Sequence, residues 1–461
     1  MNDLVYKTIR ELAGLLKARQ VSPVELTELA LDRLERHGPA LNAVVTVTRE
    51  RALRQARRAE QEIVQGDHRG LLHGVPCGAK DLLATSDGIP TSWGAAPFAA
   101  QTFDRDAEVV RKLEEAGAVL CAKLAMIELA GGMGYRQPNA SFTGPPKNPW
   151  NVGHWTGGSS SGSGAAVAAG LVPFAIGSET WGSIIGPAGF CGIAGLRPTY
   201  GRVSRRGAMA LCWTLDKLGP LALTADDAGI VLDAIAGPDP EDSTSCPEQW
   251  TYSPEAGAAR PRLGVVRATL DYVSDEVKAS FERSLVELGA FADLEETVLP
   301  DLPYIAAGQT ILGAEAASAF EELLREGRAA ELTAPEDAYM WQARFAIPAV
   351  DYLRALRLRG VMARAVDEAM APYDALIAPS RQIVASEIDR EMPSSQATDV
   401  MGAAGNLLGL PAVTVPNGLA SGLPTGLLFM GRAHDENRIL AAANLYQART
   451  EWGALHPPGW D

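Results

Sequence analysis

The first 65 residues carry apolar side chains at the three- and four-residue spacing of amphipathic helices. The apolar face of the first predicted helix is formed by Ile9, Leu12, Leu15 and Leu16. A second helix is predicted to begin at Ser22-Pro23 and to continue to His37, because serine favours the helix cap and proline fits the first turn. A third stretch, 53–64, places arginine and glutamate on its outer faces. This region is therefore predicted to be helical, and nothing in it indicates chemistry.

Short apolar runs then alternate with amphipathic stretches. The pattern predicts a helix at 106–117 with a strand at 119–122 after it, and core strands at 172–176, 375–379 and 412–416. Helix and strand in alternation are typical of an α/β fold. We therefore expect a sheet that is built from distant parts of the chain.

In the middle of the chain the predicted elements are mainly helices, and a polar stretch interrupts them. A predicted helix at 225–236 is followed by a stretch rich in proline, serine and acids at 238–261, which we interpret as an exposed connection. A strand at 263–266, a helix at 274–288, mainly helical sequence at 303–371 and a closing helix at 437–450 are predicted after it.

We find no internal repeat, and we treat residues 1–461 as a single domain. Its predicted regions are a helical N-terminal region (1–65), a core that holds the candidate chemistry (66–237), a variable and mainly helical substrate-side region (238–370) and a C-terminal return to the sheet (371–461).

The stretch from Gly157 to Gly192 is rich in glycine and serine, so hydroxyls are almost the only reactive groups that it offers. A flexible linker is disfavoured because apolar runs continue directly from it, and a phosphate-binding loop because no Gly-Lys-Ser/Thr follows. Residues 158–162 also fit G-x-S-x-G, which would make Ser160 a nucleophile with a histidine such as His434 or His456 as its base. A second glycine-bearing turn, 177–182, presents Ser183.

Upstream of that stretch, an apolar and glycine-rich run at 74–79 leads into Lys80. If the run is a buried strand, loss of hydration should lower the pKa of the Lys80 ammonium. From the local sequence, a surface lysine at a strand end and a functional lysine both remain open.

Composition narrows the range of partners. The 461 residues are 47% hydrophobic and 21% charged, and the formal net charge of −15 disfavours a nucleic-acid partner. The five cysteines form no C-x-x-C pair, and the six histidines show no metal-ligand spacing. With neither a signal peptide nor a membrane span in the sequence, we expect a cytoplasmic protein with no metal, cofactor or membrane partner, and we leave a homodimer open.

The chain resembles the amidase signature family of serine hydrolases. The resemblance rests on the 157–192 stretch and on further motifs spread over most of the chain, namely His73-Gly74-Val75-Pro76, Lys80-Asp81, Asn148-Pro149-Trp150, the run from Gly195 to Ser204, Gly409-Leu410-Pro411-Ala412 and the run from Gly422 to Leu427.

This resemblance implies a mixed β-sheet core flanked by α-helices on both sides, and an acyl-enzyme mechanism without metal or cofactor. It implies that Ser183 is the nucleophile, that Ser159 relays its proton, and that neutral Lys80 is the base. It also implies a cis peptide at Gly158–Ser159. The residues expected to bind the oxyanion and the substrate are Thr180, Trp181, Gly182 and Met133.

Three positions depart from the usual family pattern. Trp181 stands where the family has glycine, Ile185 where it has arginine, and Gly186 where it has a bulky apolar residue. Trp181 would be strained if that position required a positive φ. We expect its ring to form a wall of the substrate pocket, with outward packing against the central region as the alternative. An apolar neighbourhood of this kind would favour hydrophobic or aromatic acyl or leaving groups. The family resemblance adds aryl amides and carbamates (urethanes) as candidate substrates, because some relatives accept them.

The expected function is therefore hydrolysis of a small-molecule amide or carbamate. The alternative is the A subunit of a tRNA-dependent glutamyl/aspartyl amidotransferase, which is a glutaminase.

Overall fold

A computed structural model describes residues 4–131, 138–334, 341–390 and 399–460. Met133 lies outside the described residues, so its predicted contact with substrate stays a prediction. The helices are α1 (Ile9–Lys17), α2 (Pro23–Leu41), α3 (Arg49–Gln65), α4 (Glu108–Glu115), α5 (Ser161–Ala168), α6 (Ile185–Cys191), α7 (Ala225–Ile235), α8 (Asp275–Gly289), α9 (Tyr304–Ala319), α10 (Glu321–Arg325), α11 (Ala349–Met370), α12 (Val400–Leu408) and α13 (Glu436–Gln447).

The strands are β1 (Val44–Val47), β2 (Pro76–Lys80), β3 (Val119–Leu124), β4 (Lys147–Asn148), β5 (Asn151–Trp155), β6 (Phe174–Glu179), β7 (Ala194–Arg197), β8 (Lys217–Ala222), β9 (Arg262–Val266), β10 (Asp293–Thr297), β11 (Ala375–Pro379), β12 (Ala412–Ala420) and β13 (Leu423–Met430). Strands β4 and β5 form a two-stranded sheet of their own.

The other eleven strands form one sheet in the order β1-β3-β2-β6-β8-β7-β12-β13-β11-β9-β10. It is mixed, because β2 runs parallel to β3 and β6 whereas β6 and β8 are antiparallel. Helices flank the sheet, which confirms the expected α/β architecture. Distant parts of the chain also share one cluster of buried apolar side chains, which extends from Ile9 to Tyr446.

The start of α2, in the N-terminal region, follows the predicted capping chemistry. Ser22 caps α2 by accepting a hydrogen bond from the Glu25 N–H, and the Glu25 carboxylate accepts one from the Ser22 N–H. Pro23 occupies the first turn, as predicted. Within this region the sequence missed β1, a four-residue edge strand that pairs with β3.

The predicted turn at 177–182 is wrong in its first half. Strand β6 continues through Gly177 and Ser178 to Glu179, because these residues pair with Gly219, Leu218 and Lys217 of β8. The turn is therefore shorter than predicted, and it begins at Thr180.

Candidate active site

Lys80 is the last residue of β2, and its side chain is fully buried. Its Nζ lies 2.7 Å from Ser159 Oγ, 2.9 Å from Ser178 Oγ and 3.0 Å from Ser160 Oγ. Burial lowers the pKa of this amine well below its ordinary value, although Asp216 and Glu179 act in the opposite direction. The surroundings of Lys80 therefore favour a neutral amine with a lone pair among three hydroxyls.

The three hydroxyls are not equivalent. Ser160 Oγ donates to the Ser178 carbonyl at 3.1 Å and accepts from the Ser178 N–H at 3.2 Å, so its proton is already engaged. No such acceptor holds the Ser159 hydroxyl proton among the residues described. Ser159 can therefore donate to the Lys80 lone pair, which is the direction that a proton relay requires.

Ser159 follows a cis peptide bond with Gly158, which confirms the prediction from the family resemblance. The next residue connects this loop to the second serine loop, because the Ser160 N–H donates to the Ser183 carbonyl at 3.3 Å. Lys80, Ser159 and Ser183, predicted from three separate motifs, are thus brought into one site.

Glu179 anchors the turn that carries Ser183. Its Oε2 accepts the N–H groups of Ile184 at 2.7 Å and of Ile185 at 2.9 Å, while its Oε1 accepts from Arg197 at 2.8 Å. Burial opposes ionisation, but the charges of Arg197 and Lys217 lower the pKa of Glu179 to about 2. An ionised carboxylate therefore ties the two residues after Ser183 to the end of β6.

The turn also leaves donors available. Within the described part of the chain, the N–H groups of Trp181, Gly182 and Ser183 meet no acceptor. Thr180 is held by its hydroxyl, which donates to Asp216 at 2.5 Å. Free N–H groups next to a serine hydroxyl are the kind of donor that stabilises an oxyanion.

Trp181 does not have the positive φ that would strain it, because Gly182 takes that conformation instead with φ +88°. The tip of the indole ring lies over Gly308 of α9, where an added Cβ would be 2.3 Å from Cη2 and 2.4 Å from Cζ3. This arrangement is the outward packing against the central region that was the alternative in the sequence analysis.

The expectation of an apolar neighbourhood is wrong on one side of Ser183. The Arg381 guanidinium lies there, and its Nη1 is 3.6 Å from where a Cβ on either Gly182 or Gly186 would stand. Sequence reasoning missed Arg381 because no motif contains it. Ile185, by contrast, is buried in the main apolar cluster, as its side chain suggests.

A cavity of about 290 Å³ opens beside the same machinery. Ser178 and Thr180 form part of its wall, together with apolar residues such as Leu82 and Leu218, and Arg206 and Asp242 also line it. Ser178 lines this cavity and its hydroxyl lies 2.9 Å from Lys80 Nζ, so a single residue stands between the cavity and the lysine.

The nucleophile-elbow interpretation of Ser160 is wrong. His434 Nδ1 lies 2.8 Å from an Arg202 nitrogen, and the His456 ring stacks on Tyr6, so neither contacts Ser160. In the described residues, no cluster of three His, Cys, Asp or Glu side chains is placed to hold a metal ion. None of the described helices combines the length and apolar character that a membrane crossing needs.

Comparisons with known proteins agree with the geometry. A family model described as Amidase matches residues 25–440. The A subunit of glutamyl-tRNA(Gln) amidotransferase from Carboxydothermus hydrogenoformans is 35% identical over 488 residues, which cover 99% of each chain. The solved peptide amidase of Stenotrophomonas maltophilia matches with a TM-score of 0.87 and 31% identity over 99% of each chain. The solved A subunit of the same amidotransferase from Thermotoga maritima matches with a TM-score of 0.81 and 28% identity over 99% of this chain and 98% of that one.

Proposed function

This chain belongs to the amidase family and is an amidase signature enzyme, and from that premise we propose that it hydrolyses a primary amide at Ser183 and releases ammonia. The observation that carries the proposal is the buried Lys80 amine, which lies 2.7 Å from a serine hydroxyl whose proton is free to move towards it. Neither a histidine nor a carboxylate has to act as the base in this arrangement.

In the proposed reaction, Lys80 accepts the proton of Ser159 as Ser159 takes the proton of Ser183. The Ser183 oxygen then attacks the amide carbon, and free N–H groups of the 181–183 turn stabilise the oxyanion. The proton returns from Lys80 through Ser159 to the leaving nitrogen, so that ammonia departs and an ester with Ser183 remains. Water hydrolyses that ester by the same relay and restores all three side chains.

The curated relatives favour glutamine as the substrate. The A subunit of glutamyl-tRNA(Gln) amidotransferase matches this chain over nearly its whole length in several bacteria at 33–36% identity. We therefore propose the glutaminase function of such a subunit first, with the side-chain amide of glutamine as the ammonia source and other subunits as partners.

A free-standing hydrolase of small amides is the second candidate. It is favoured by the likeness to a peptide amidase, which is closer to this chain in sequence and in backbone than the solved A subunit is. Aryl amides and carbamates have less support, because the aryl acylamidase neighbour is only 24% identical and shows the fold alone.

The test is ammonia release by the purified chain from L-glutamine, with and without its purified partner subunits, and from a series of primary amides. Ser183→Ala should abolish release, and Ser159→Ala and Lys80→Met should each lower it by orders of magnitude. Ser163→Ala is the matched control, because its hydroxyl is buried in the same segment but points to the Ile176 carbonyl. Full activity in Ser183→Ala would overturn the proposal.

Stimulation by partner subunits, with glutamine as the preferred amide, would establish the glutaminase. Turnover of small amides by the isolated chain, with no stimulation, would establish the second candidate.

A further inference from the structure

The side chain of Arg381 crosses helix α6 towards the turn that carries Ser183. It follows β11, and its Cγ lies 3.5 Å from where a Cβ on Gly189 would stand. Its guanidinium carbon is 3.8 Å from the corresponding position on Gly186, one helical turn earlier. Two glycines three residues apart on α6 thus form a groove along which the arginine stem lies.

The end of that groove is the turn around Ser183. The Gly186 N–H donates to the Gly182 carbonyl at 2.8 Å, so the backbone closes on itself around the serine. Nη1 of Arg381 stands 3.6 Å from the Cβ positions of both glycines. The guanidinium therefore lies beside Gly182, which directly precedes Ser183, and beside Gly186, three residues after it.

This cation has no counter-ion among the residues that the structure describes. Across the described ranges, no carboxylate lies within ion-pair distance of Arg381, and its buried Nε has no hydrogen-bond partner. Its neighbour is an aromatic ring, that of Phe190, whose centroid is 5.1 Å from the guanidinium carbon. Two arginines that are more deeply buried than Arg381 are paired with carboxylates, Arg197 with Glu179 and Arg51 with Asp106.

We propose that Arg381 binds a carboxylate of the substrate, so that the site is selective for short amides that also carry a carboxylate. This inference rests on the proposed function, because it takes Ser183 as the point of attack. A planar guanidinium presents two parallel N–H donors to the two oxygens of a carboxylate. The Phe190 ring attracts the cation but offers no hydrogen-bond acceptor. The N–H donors of the guanidinium therefore stay available for a carboxylate.

The test compares acidic amides with neutral ones of similar size. We would measure kcat/KM for malonamate, succinamate and L-glutamine against propionamide and butyramide, in the wild-type chain and in Arg381→Met and Arg381→Lys. Arg381→Met should lower kcat/KM on the preferred acidic amide about ten- to a hundredfold and change the neutral amides less than about threefold. Arg381→Lys should recover part of the loss, because it keeps the charge without the planar fork.

Arg449→Met is the matched control for loss of an arginine that lies over an aromatic ring, since Arg449 is 4.9 Å from the Phe291 centroid. It should leave the preference for acidic amides unchanged. An equal fall on acidic and neutral amides in Arg381→Met would overturn the role of Arg381, while leaving the proposed amidase function in place.

A binding measurement separates the two ideas when turnover is absent. Calorimetry with succinate and malonate on the Ser183→Ala chain should give a heat of binding that Arg381→Met removes and Arg449→Met retains. If no amide is hydrolysed but this pattern is found, the proposed function fails and the carboxylate site stands. If both dicarboxylates fail to bind, or bind equally in Arg381→Met, the carboxylate site is overturned.

Discussion

Gly308→Ala tests whether Trp181 is held by helix α9. The added methyl carbon would stand 2.3 Å and 2.4 Å from two ring carbons of Trp181, whereas carbons in favourable contact are about 3.5–4.0 Å apart. The ring or the helix must therefore retreat by about 1 Å or more. Overpacking of this kind lowers the free energy of unfolding by about 1–3 kcal/mol.

The same substitution also has a stabilising part, because alanine is favoured over glycine in a helix interior by about 1 kcal/mol. We therefore expect Gly308→Ala to lower the free energy of unfolding by about 0–2 kcal/mol. Gly360→Ala in α11 is the control, since nothing lies within 4 Å of its added Cβ, and it should raise that free energy by about 1 kcal/mol. Urea unfolding of the two variants measures the difference.

The decisive assay combines each alanine variant with Trp181→Gly. Without the indole ring the clash disappears, so Gly308→Ala should then stabilise the chain as Gly360→Ala does. In the presence of Trp181, the displaced ring should also move the turn that carries Ser183 and lower kcat on all amides by a similar factor. A coupling free energy within about 0.5 kcal/mol of zero between positions 181 and 308 would refute the packing contact.

Two further predictions concern pH. Because burial lowers the pKa of Lys80, kcat/KM for ammonia release should rise with pH as this amine loses its proton. His434→Gln and His456→Gln should leave this pH profile unchanged. Loss of the profile in either variant would contradict a lysine base. Burial raises the pKa of Asp227 from 3.8 to about 7. This difference between the unfolded and folded chain corresponds to a pH-dependent change of about 4 kcal/mol in the free energy of unfolding. Between pH 4 and 7, Asp227 keeps its proton in the folded chain and loses it in the unfolded chain. The free energy of unfolding, relative to that of Asp227→Asn, should therefore fall as pH rises through this range and level off above it. Urea unfolding that shows no such trend would contradict the pKa shift.

The parts of the fold that the sequence predicted are those that local pattern decides. The strand at 375–379 has the predicted bounds, and α2 begins directly after its predicted capping residue, Ser22. Strand β1 was missed because its four residues are all only half-buried and pair with β3, far along the chain. The end of β6 was missed for a similar reason, since glycine and serine signal a turn locally and only pairing with β8 makes them a strand.

The candidate site divides in the same way. Lys80, Ser159 and Ser183 were predicted because each lies in a recognisable motif. For the segment that crosses α6, the local sign in the sequence was the three-residue spacing of Gly186 and Gly189. Nothing near position 381 says which segment that is.

Contacts with distant parts of the chain explain two of the departures from the family pattern next to Ser183, those at Trp181 and Gly186. Trp181 finds room because Gly308 lacks a side chain. A Cβ on Gly186 would already be in van der Waals contact with Arg381, so a bulky side chain there would displace the arginine. The turn that carries Ser183 therefore touches both the central region, through α9, and the C-terminal region, through the segment after β11. If Arg381 binds the substrate carboxylate, substrate choice in this chain does not lie in the central region alone. An exchange of residues 238–370 with a relative would then disturb Trp181 yet leave the preference for acidic amides with Arg381.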